Sequence, residues 1–241
     1  MSRKKLGVNV DHFATLRQAR GTSYPDPIQA ALMCQESGAD SIVAHLREDR
    51  RHIQDRDVFG IKAALRIAFN LEMSIARPIV DIAVGLKPEQ ATLVPEHRQE
   101  LTTEGGLNVA SGGKRLKSAV NRLMSAGISV SLFIEPAPEQ IMASIDIGVG
   151  IVELHTGRYA DAKTKRERIR ELKRIVMASE FAVKSGLIVN AGHGLHYESV
   201  SDIAAIEEIN ELNIGHSIVS YAAFYGIKKA VRNMKKAIRR G

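Results

Sequence analysis

The sequence predicts one closed α/β barrel over residues 1–241, in which eight parallel strands alternate with helices. Short apolar runs recur eight times along the chain, and helical segments of crossover length lie between them. No Pro- or Ser-rich linker divides the chain, so a division into two smaller domains is disfavoured. The length of 241 residues also suits a single (β/α)8, or TIM, barrel, which takes about 250 residues.

Polar or ionisable residues end most of the apolar runs. The clearest runs are 6–12, 41–47 and 70–73, and later runs lead into 153–155, 190–193 and 213–216. In a parallel barrel, the carboxyl ends of the strands meet at one mouth, where functional groups from distant parts of the chain gather. The pattern therefore predicts a site at that mouth.

Caps and periodicity predict the helices between the strands. The first helix opens at Asp26 and closes at Gly38, and the second begins at Asp55, with helical apolar spacing over 58–68. The longest irregular segment is 95–113, a length more typical of a lid or binding loop than of a simple connection. The remaining predicted helices are 78–84, 114–126, 138–147, 165–184, 199–205 and 221–239.

The composition is that of an ordinary globular chain, with 44% hydrophobic and 25% charged residues. The single Cys34 excludes an intramolecular disulfide and is interpreted as a core residue. No apolar run approaches the roughly 20 residues of a membrane span, and Asn9, Asp11 and His12 interrupt the first run too early for a signal peptide. A cytoplasmic protein without membrane contact is expected.

The net charge of +7 leaves nucleic acid, anionic membranes and anionic small molecules open as partners. Much of the excess lies in the last helix, where basic residues alternate with apolar ones at amphipathic spacing, as expected of a solvated surface helix. Aromatic residues, which would stack on bases, make up only 5% of the chain. No nucleic acid partner is therefore expected, although binding through this basic helix stays an alternative.

Acid–base groups end four of the predicted strands: His45, Glu72, Glu153 and His193. Histidine titrates near neutral pH, and a carboxylate among apolar walls can have its pKa raised toward neutrality. These four groups are predicted to move protons in successive steps of a condensation. Taken singly, Glu72 could instead pair with an arginine, and His45 could be a hydrogen-bonded core histidine.

Two anion sites are predicted around these groups. Glycines in 190–194 and 213–216 lie where barrels commonly bind phosphate through main-chain N–H groups at a helix start, although tight turns alone would also explain them. A second site is predicted near Arg47 and His52, while Arg50 and Arg51 are interpreted as part of a solvated loop. Thr102 and Thr103 on the long loop would close over the ligand.

Missing residues exclude some reaction classes. No predicted strand end carries the lysine that a Schiff-base aldolase requires, so any imine must take its nitrogen from the substrate. No Cys pair or His-Glu-x-x-His motif is present, so no metal and no cofactor are predicted. A metal-dependent barrel hydrolase or lyase stays as an alternative that uses the remaining histidines.

Long sequence blocks resemble the pyridoxine 5'-phosphate synthase family nearly end to end. The outer helices and the C-terminus vary, and no functional position departs from the family pattern. The most specific blocks are GVNVDH at 7–12, HLREDRRHI at 45–53, NLEM at 70–73, TTEGGL at 102–107, NAGHGL at 190–195 and ELNIGH at 211–216.

The resemblance implies condensation of 1-deoxy-D-xylulose 5-phosphate with 3-amino-2-oxopropyl phosphate to pyridoxine 5'-phosphate, phosphate and water. It makes His45 and Glu72 proton acceptors, His193 a proton donor and Glu153 a stabiliser of transition-state charge. It also implies a homo-octamer whose barrels carry extra helices. The residues implied to hold the amino ketone phosphate are Asn9, Arg20, Gly194, Gly215 and His216, and those for the sugar phosphate are Asp11, His12, Arg47, His52 and Thr102.

Overall fold

The computed structural model describes residues 3–102 and 105–241. Within these ranges, eight strands close into a barrel in chain order, and every neighbouring pair is parallel. This confirms the predicted fold class. The strands are β1 (Lys5–Asn9), β2 (Ser41–Leu46), β3 (Ala68–Met73), β4 (Gln90–Leu93), β5 (Ser129–Ile134), β6 (Ile151–His155), β7 (Ile188–Gly192) and β8 (Ile209–Ile214).

Helices surround the barrel, and several follow the predicted bounds closely. Thr164 begins the longest helix with a reciprocal capping box to Glu167, and its side chain accepts the Glu167 N–H at 3.2 Å. The described helices are α1 (Asp11–Arg20), α2 (Pro27–Glu36), α3 (Asp55–Ala64), α4 (Arg77–Leu86), α5 (Gly113–Ser125), α6 (Pro138–Ile147), α7 (Gly157–Ala160), α8 (Lys165–Lys184), α9 (Val200–Ala204), α10 (His216–Tyr225) and α11 (Ile227–Ile238).

The helix that opens at Asp26 is not, as predicted, the first, because α1 precedes it. Three predicted boundaries are also wrong. The first strand does not run to His12, because β1 ends at Asn9 and Asp11 starts α1. The helix predicted over 58–68 ends at Ala64, since Leu65 is extended with φ −78° and ψ 148°. The helix predicted over 221–239 is two helices, because Gly226 adopts φ +79°, a conformation that continues neither α10 nor α11.

Alternation along the strands separates an apolar outer layer from a polar interior. Leu6, Val8 and Ile42 are fully buried beneath the helices. The intervening residues point into the barrel, where the Thr92 hydroxyl donates to Asn70 Oδ1 at 2.8 Å. On β3 the same two-residue period leads from Asn70 to Glu72, near the carboxyl end of the strand.

A salt bridge holds the C-terminal helix beside the start of β2. In α11, Lys235 Nζ lies 2.8 Å from Asp40 Oδ2, and Met234 is fully buried. Cys34 on α2 is also fully buried, and burial raises the pKa of its thiol to about 12, as expected of a packing residue. No helix in the described ranges has the length and apolar character needed to cross a bilayer.

Candidate active site

A cavity of about 670 Å³ opens at the carboxyl ends of the barrel strands. It brings together acid–base and glycine positions that are distant in the chain. The sequence-predicted site residues that line it are Asn9, Asp11, His12, His45, Glu72, Glu153, His193, Gly194, Gly215 and His216.

One side of the cavity, the carboxylate wall, consists of Asn9, His45 and Glu72 near the ends of β1, β2 and β3, together with Asp11 at the start of α1. The Asn9 amide donates to Asp11 Oδ2 at 3.0 Å and to Glu72 Oε2 at 3.4 Å. The His45 backbone N–H donates to Asp11 Oδ1 at 2.8 Å. Asp11 therefore fixes the end of β2 while it faces the cavity.

Glu72 is the carboxylate of this wall whose pKa is raised. Burial raises its pKa well above the ordinary value, and the nearby negative charges of Glu153 and Asp11 raise it further. No arginine is among its hydrogen-bond partners in the described ranges, so the predicted alternative of a Glu72–Arg pair is not what the structure shows. A carboxyl group of raised pKa is suited to exchanging protons near neutral pH.

His45 contacts a carboxylate from the long loop. Its Nε2 lies 2.9 Å from Glu96 Oε1, and the Glu96 side chain is only 2% exposed. The second Glu96 oxygen accepts the Glu48 backbone N–H at 3.0 Å. Burial alone would raise the pKa of Glu96, but the hydrogen bonds from His45 and Glu48 outweigh it and lower the pKa.

The opposite side of the cavity, the histidine wall, consists of Glu153 on β6, His193 directly after β7 and Asn213 on β8, with His155 packed against His193 outside the cavity lining. The Asn213 amide donates to Glu153 Oε2 at 2.7 Å. Burial raises the pKa of Glu153 to about 7, although the Asn213 hydrogen bond opposes the shift. Glu153 is thus a carboxyl group that titrates near neutral pH.

Two imidazole rings pack together on this wall. The ring centroids of His155 and His193 are 4.8 Å apart, and Phe133 contacts the His155 ring edge-on at 5.1 Å. Burial lowers the pKa of His193, and the neighbouring His155 lowers it further. His155 Nδ1 lies 3.1 Å from Glu135 Oε1, so a carboxylate lies next to this pair of rings.

The backbone that carries His193 is strained. His193 adopts φ +76°, which is uncommon for a residue with a side chain, and Gly194 follows at φ +79°. The Thr156 hydroxyl lies 2.7 Å from the carbonyl oxygens of both Gly192 and His193 and holds this turn in place. A side chain at 194 would also meet the Ala160 Cβ at 2.9 Å.

The start of α10 adds an anion-binding geometry beside the histidine wall. Gly215 precedes the helix, and a Cβ at that position would lie 2.9 Å from the Asn9 Cβ, so the close approach requires glycine. The His216 ring lies 4.9 Å from the His12 ring, and burial lowers the pKa of His12. The free N–H groups of this helix start favour a bound phosphate.

Comparison with known proteins identifies the family. The family model described as "Pyridoxal phosphate biosynthesis protein PdxJ" matches residues 6–240. The chain belongs to the PdxJ family. A pyridoxine 5'-phosphate synthase of Legionella pneumophila strain Corby is 55% identical over 231 residues, covering 96% of this chain and 93% of that protein. The protein of the same name from strain Lens is 54% identical over the same length, with the same coverage of both chains.

Solved structures support the fold alone. KGPDC from Streptococcus mutans matches with a TM-score of 0.65 at 14% identity, covering 99% of both chains. A phosphoribosylanthranilate isomerase from Thermotoga maritima matches with a TM-score of 0.60 at 12% identity, covering 98% of both chains. Identities this low leave the PdxJ family as the functional comparison.

Four of the residues that the family resemblance implied do not line the cavity. Arg20 ends α1 in an exposed position. Arg47 Nε lies 3.2 Å from Asp49 Oδ1 and its Nη2 lies 4.0 Å from Glu96 Oε2, while the His52 ring centroid lies 6.1 Å from that of His45. Thr102 Oγ1 accepts the backbone N–H groups of two loop glycines at 3.2 Å each, and Thr103 lies outside the described residues.

Sequence reasoning missed Glu96, Glu135 and the positional importance of His155. Glu96 directly follows Pro95 after β4, so its place just beyond a strand end was the available signal. Its contact with His45 depends on the path of the irregular loop, which periodicity does not determine. The distance between Glu135 and His155 likewise arises from the pairing of β5 with β6.

Proposed function

We propose that this chain is a pyridoxine 5'-phosphate synthase, which condenses 1-deoxy-D-xylulose 5-phosphate with 3-amino-2-oxopropyl phosphate to pyridoxine 5'-phosphate, phosphate and water. The observation that carries the proposal is the arrangement of two acid–base walls around one cavity in a chain of the PdxJ family. The family's role in pyridoxal phosphate biosynthesis and the names of the Legionella relatives support the same reaction.

The nitrogen of the imine comes from the amino ketone in this mechanism. No lysine is among the described residues that line the cavity, so the protein offers no amine of its own there. Condensation of the substrate amine with the sugar ketone releases water. The later steps are removal of a carbon-bound proton, elimination of phosphate, addition of water to the resulting unsaturated carbon, ring closure and dehydration.

Each wall has a different role in these reaction steps. His45 and Glu72 on the carboxylate wall accept protons, and the raised pKa of Glu72 makes it a stronger base than an ordinary carboxylate. His193 donates protons from the opposite wall, where its lowered pKa makes the imidazolium a stronger acid. Glu153 stabilises positive charge that develops between the walls, as its anionic form would do above about pH 7.

The two phosphorylated substrates occupy different parts of the site. The amino ketone phosphate is assigned to Asn9, Arg20, Gly194, Gly215 and His216, which is supported by the helix start at α10. The sugar phosphate is assigned to Asp11, His12, Arg47, His52 and Thr102. The contact between the His12 and His216 rings supports adjacent placement of the two substrates.

A product assay tests this function. With both phosphorylated substrates and purified protein, we expect a pyridine chromophore and free phosphate to appear at equal rates. Neither product should form when either substrate is omitted. Phosphate release without the chromophore would instead indicate a phosphatase and contradict the proposal.

A metal-dependent hydrolase or lyase is the second candidate, because Asp11, His45 and Glu72 offer ligand atoms within 4.8 Å of one another. Elemental analysis and chelator treatment separate the two functions. We expect the synthase to keep its activity in chelator. Activity that is lost in chelator and restored by one metal would favour the second candidate.

We further propose a cytoplasmic homo-octamer that binds neither nucleic acid nor membrane. The family resemblance supports the octamer, and Phe224, which is 85% exposed on α10, supplies apolar surface for a subunit contact. Light scattering after size-exclusion chromatography is expected to give about eight times the chain mass of 26.4 kDa. A mass of one or two chains would contradict this assembly.

A further inference from the structure

The loop carboxylate Glu96 has both of its oxygens committed. Oε1 lies 2.9 Å from His45 Nε2, and Oε2 accepts the Glu48 backbone N–H at 3.0 Å. Its own backbone N–H donates to Glu100 Oε2 at 2.9 Å, and its side chain is 2% exposed. These contacts fix the position of the Glu96 carboxylate, so that it can orient the neighbouring His45 ring.

This arrangement dictates which nitrogen of His45 carries a proton. An ionised carboxylate only accepts hydrogen bonds, and the pKa of Glu96 is lowered, so Glu96 is ionised at neutral pH. The neutral imidazole must therefore carry its hydrogen on Nε2, which leaves the lone pair on Nδ1. His45 lines the cavity, and a proton acceptor there needs an unprotonated nitrogen.

We infer that Glu96 is a positioning residue that fixes His45 as the Nε2–H tautomer, so that Nδ1 is the atom that accepts a substrate proton. The inference rests on the proposed role of His45 as a proton acceptor. It assigns no contact with substrate to Glu96 itself. Because Glu96 lies on the long loop, the loop and the base are joined by one hydrogen bond.

Glu96→Gln keeps the shape of the side chain but removes its negative charge and replaces one acceptor oxygen by an NH2 donor. A glutamine has one acceptor oxygen, whereas the wild-type carboxylate satisfies two donors. The Glu48 N–H cannot change its role, but the imidazole can move its hydrogen to Nδ1. We therefore expect the glutamine oxygen to keep the Glu48 N–H and its NH2 group to donate to His45 Nε2.

The chain offers a matched control in Glu48→Gln. Like Glu96, Glu48 contacts a histidine: its Oε1 lies 3.1 Å from Nε2 of His97, which is on the loop. Neither Glu48 nor His97 lines the cavity. The backbone N–H of Glu48 is unchanged by the substitution. We expect a kcat within about twofold of wild type.

Two measurements test the inference. Solid-state ¹⁵N NMR of histidine-labelled, ligand-free protein, with the His45 signals assigned by their loss in His45→Gln, is expected to show Nε2–H in wild type and Nδ1–H in Glu96→Gln. The product assay is expected to show a loss of kcat in Glu96→Gln of roughly 10²–10⁴-fold, the usual range for acid–base catalysis, with KM nearly unchanged.

The possible outcomes separate this inference from the proposed function. Nδ1–H in the wild-type protein would overturn the inference without any variant, even if Glu96→Gln did not fold. A wild-type kcat in Glu96→Gln would overturn it as well. If the tautomer changes as expected but wild-type protein makes no pyridoxine 5'-phosphate, the positioning by Glu96 stands and the proposed function fails.

Discussion

The two walls of the cavity use the same residue types in opposite settings. On the carboxylate wall, His45 is hydrogen-bonded to an ionised glutamate, and Glu72 has carboxylates as neighbours. On the histidine wall, His193 packs against another imidazole, and Glu153 accepts a hydrogen bond from an amide. Neighbours rather than residue type therefore give the two walls different electrostatics, and the proposed reaction assigns proton acceptance to the carboxylate wall and proton donation to the histidine wall.

The largest expected effect is on the carboxylate wall. Glu72→Gln keeps the shape of the side chain but removes its titrating group, so kcat is expected to fall by about 10²–10⁴-fold in the product assay. Glu211→Gln is the matched control, since Glu211 is also a buried strand glutamate with a raised pKa but does not line the cavity. A wild-type rate in Glu72→Gln would remove Glu72 from the chemistry.

The next effect is a pH dependence of stability on the histidine wall. The folded-state pKa of Glu153 is about 7 against an ordinary value of 4.5, so this group favours the folded state at low pH and loses that contribution as pH rises through 7. The difference amounts to roughly 3 kcal/mol for a buried group.

Urea unfolding of wild type and Glu153→Gln checks this prediction. From about pH 4 to about pH 8, the free energy of unfolding of wild type should fall relative to that of the variant, because glutamine does not titrate. Parallel pH profiles would show that Glu153 has an ordinary pKa and that the walls do not differ in this way.

A smaller effect is expected from a substitution that disturbs the packing next to Glu153. In Gly192→Ala the new Cβ would overlap Glu153 Oε1 and lie 3.0 Å from the Asn213 carbonyl oxygen. We expect a loss of stability of about 1–3 kcal/mol by urea unfolding, with reduced kcat. Gly150→Ala, which meets nothing within 4 Å, should stay within about 0.5 kcal/mol of wild type.

The smallest effect lies outside both walls, on the basic face of α11. Lys228 Nζ lies 2.9 Å from Glu36 Oε2, and both side chains are more than half exposed, at 51% and 59%. Lys228→Gln should change the free energy of unfolding by less than about 1 kcal/mol and leave kcat unchanged. Steeply salt-dependent binding of DNA or RNA that this variant weakens would revive the nucleic acid alternative.

The sequence predicts the barrel and the mouth because strand periodicity and strand ends are local signals. The predicted end of β1 is wrong because the apolar run continues past Asn9, while Asp11 already starts a helix. Gly226 divides the last helix through a positive φ, which the amphipathic spacing on either side conceals. The Glu96–His45 contact joins residues 51 positions apart through an irregular loop, so no local pattern encodes it.

The central claim is that both reacting molecules are held between the two walls. A crystal structure with the products pyridoxine 5'-phosphate and inorganic phosphate tests it most directly. We predict that the pyridine ring lies between His45 and His193 and that a phosphate contacts the main-chain N–H groups near Gly194 and Gly215. Products bound outside this cavity, with the space between the walls empty, would contradict the account.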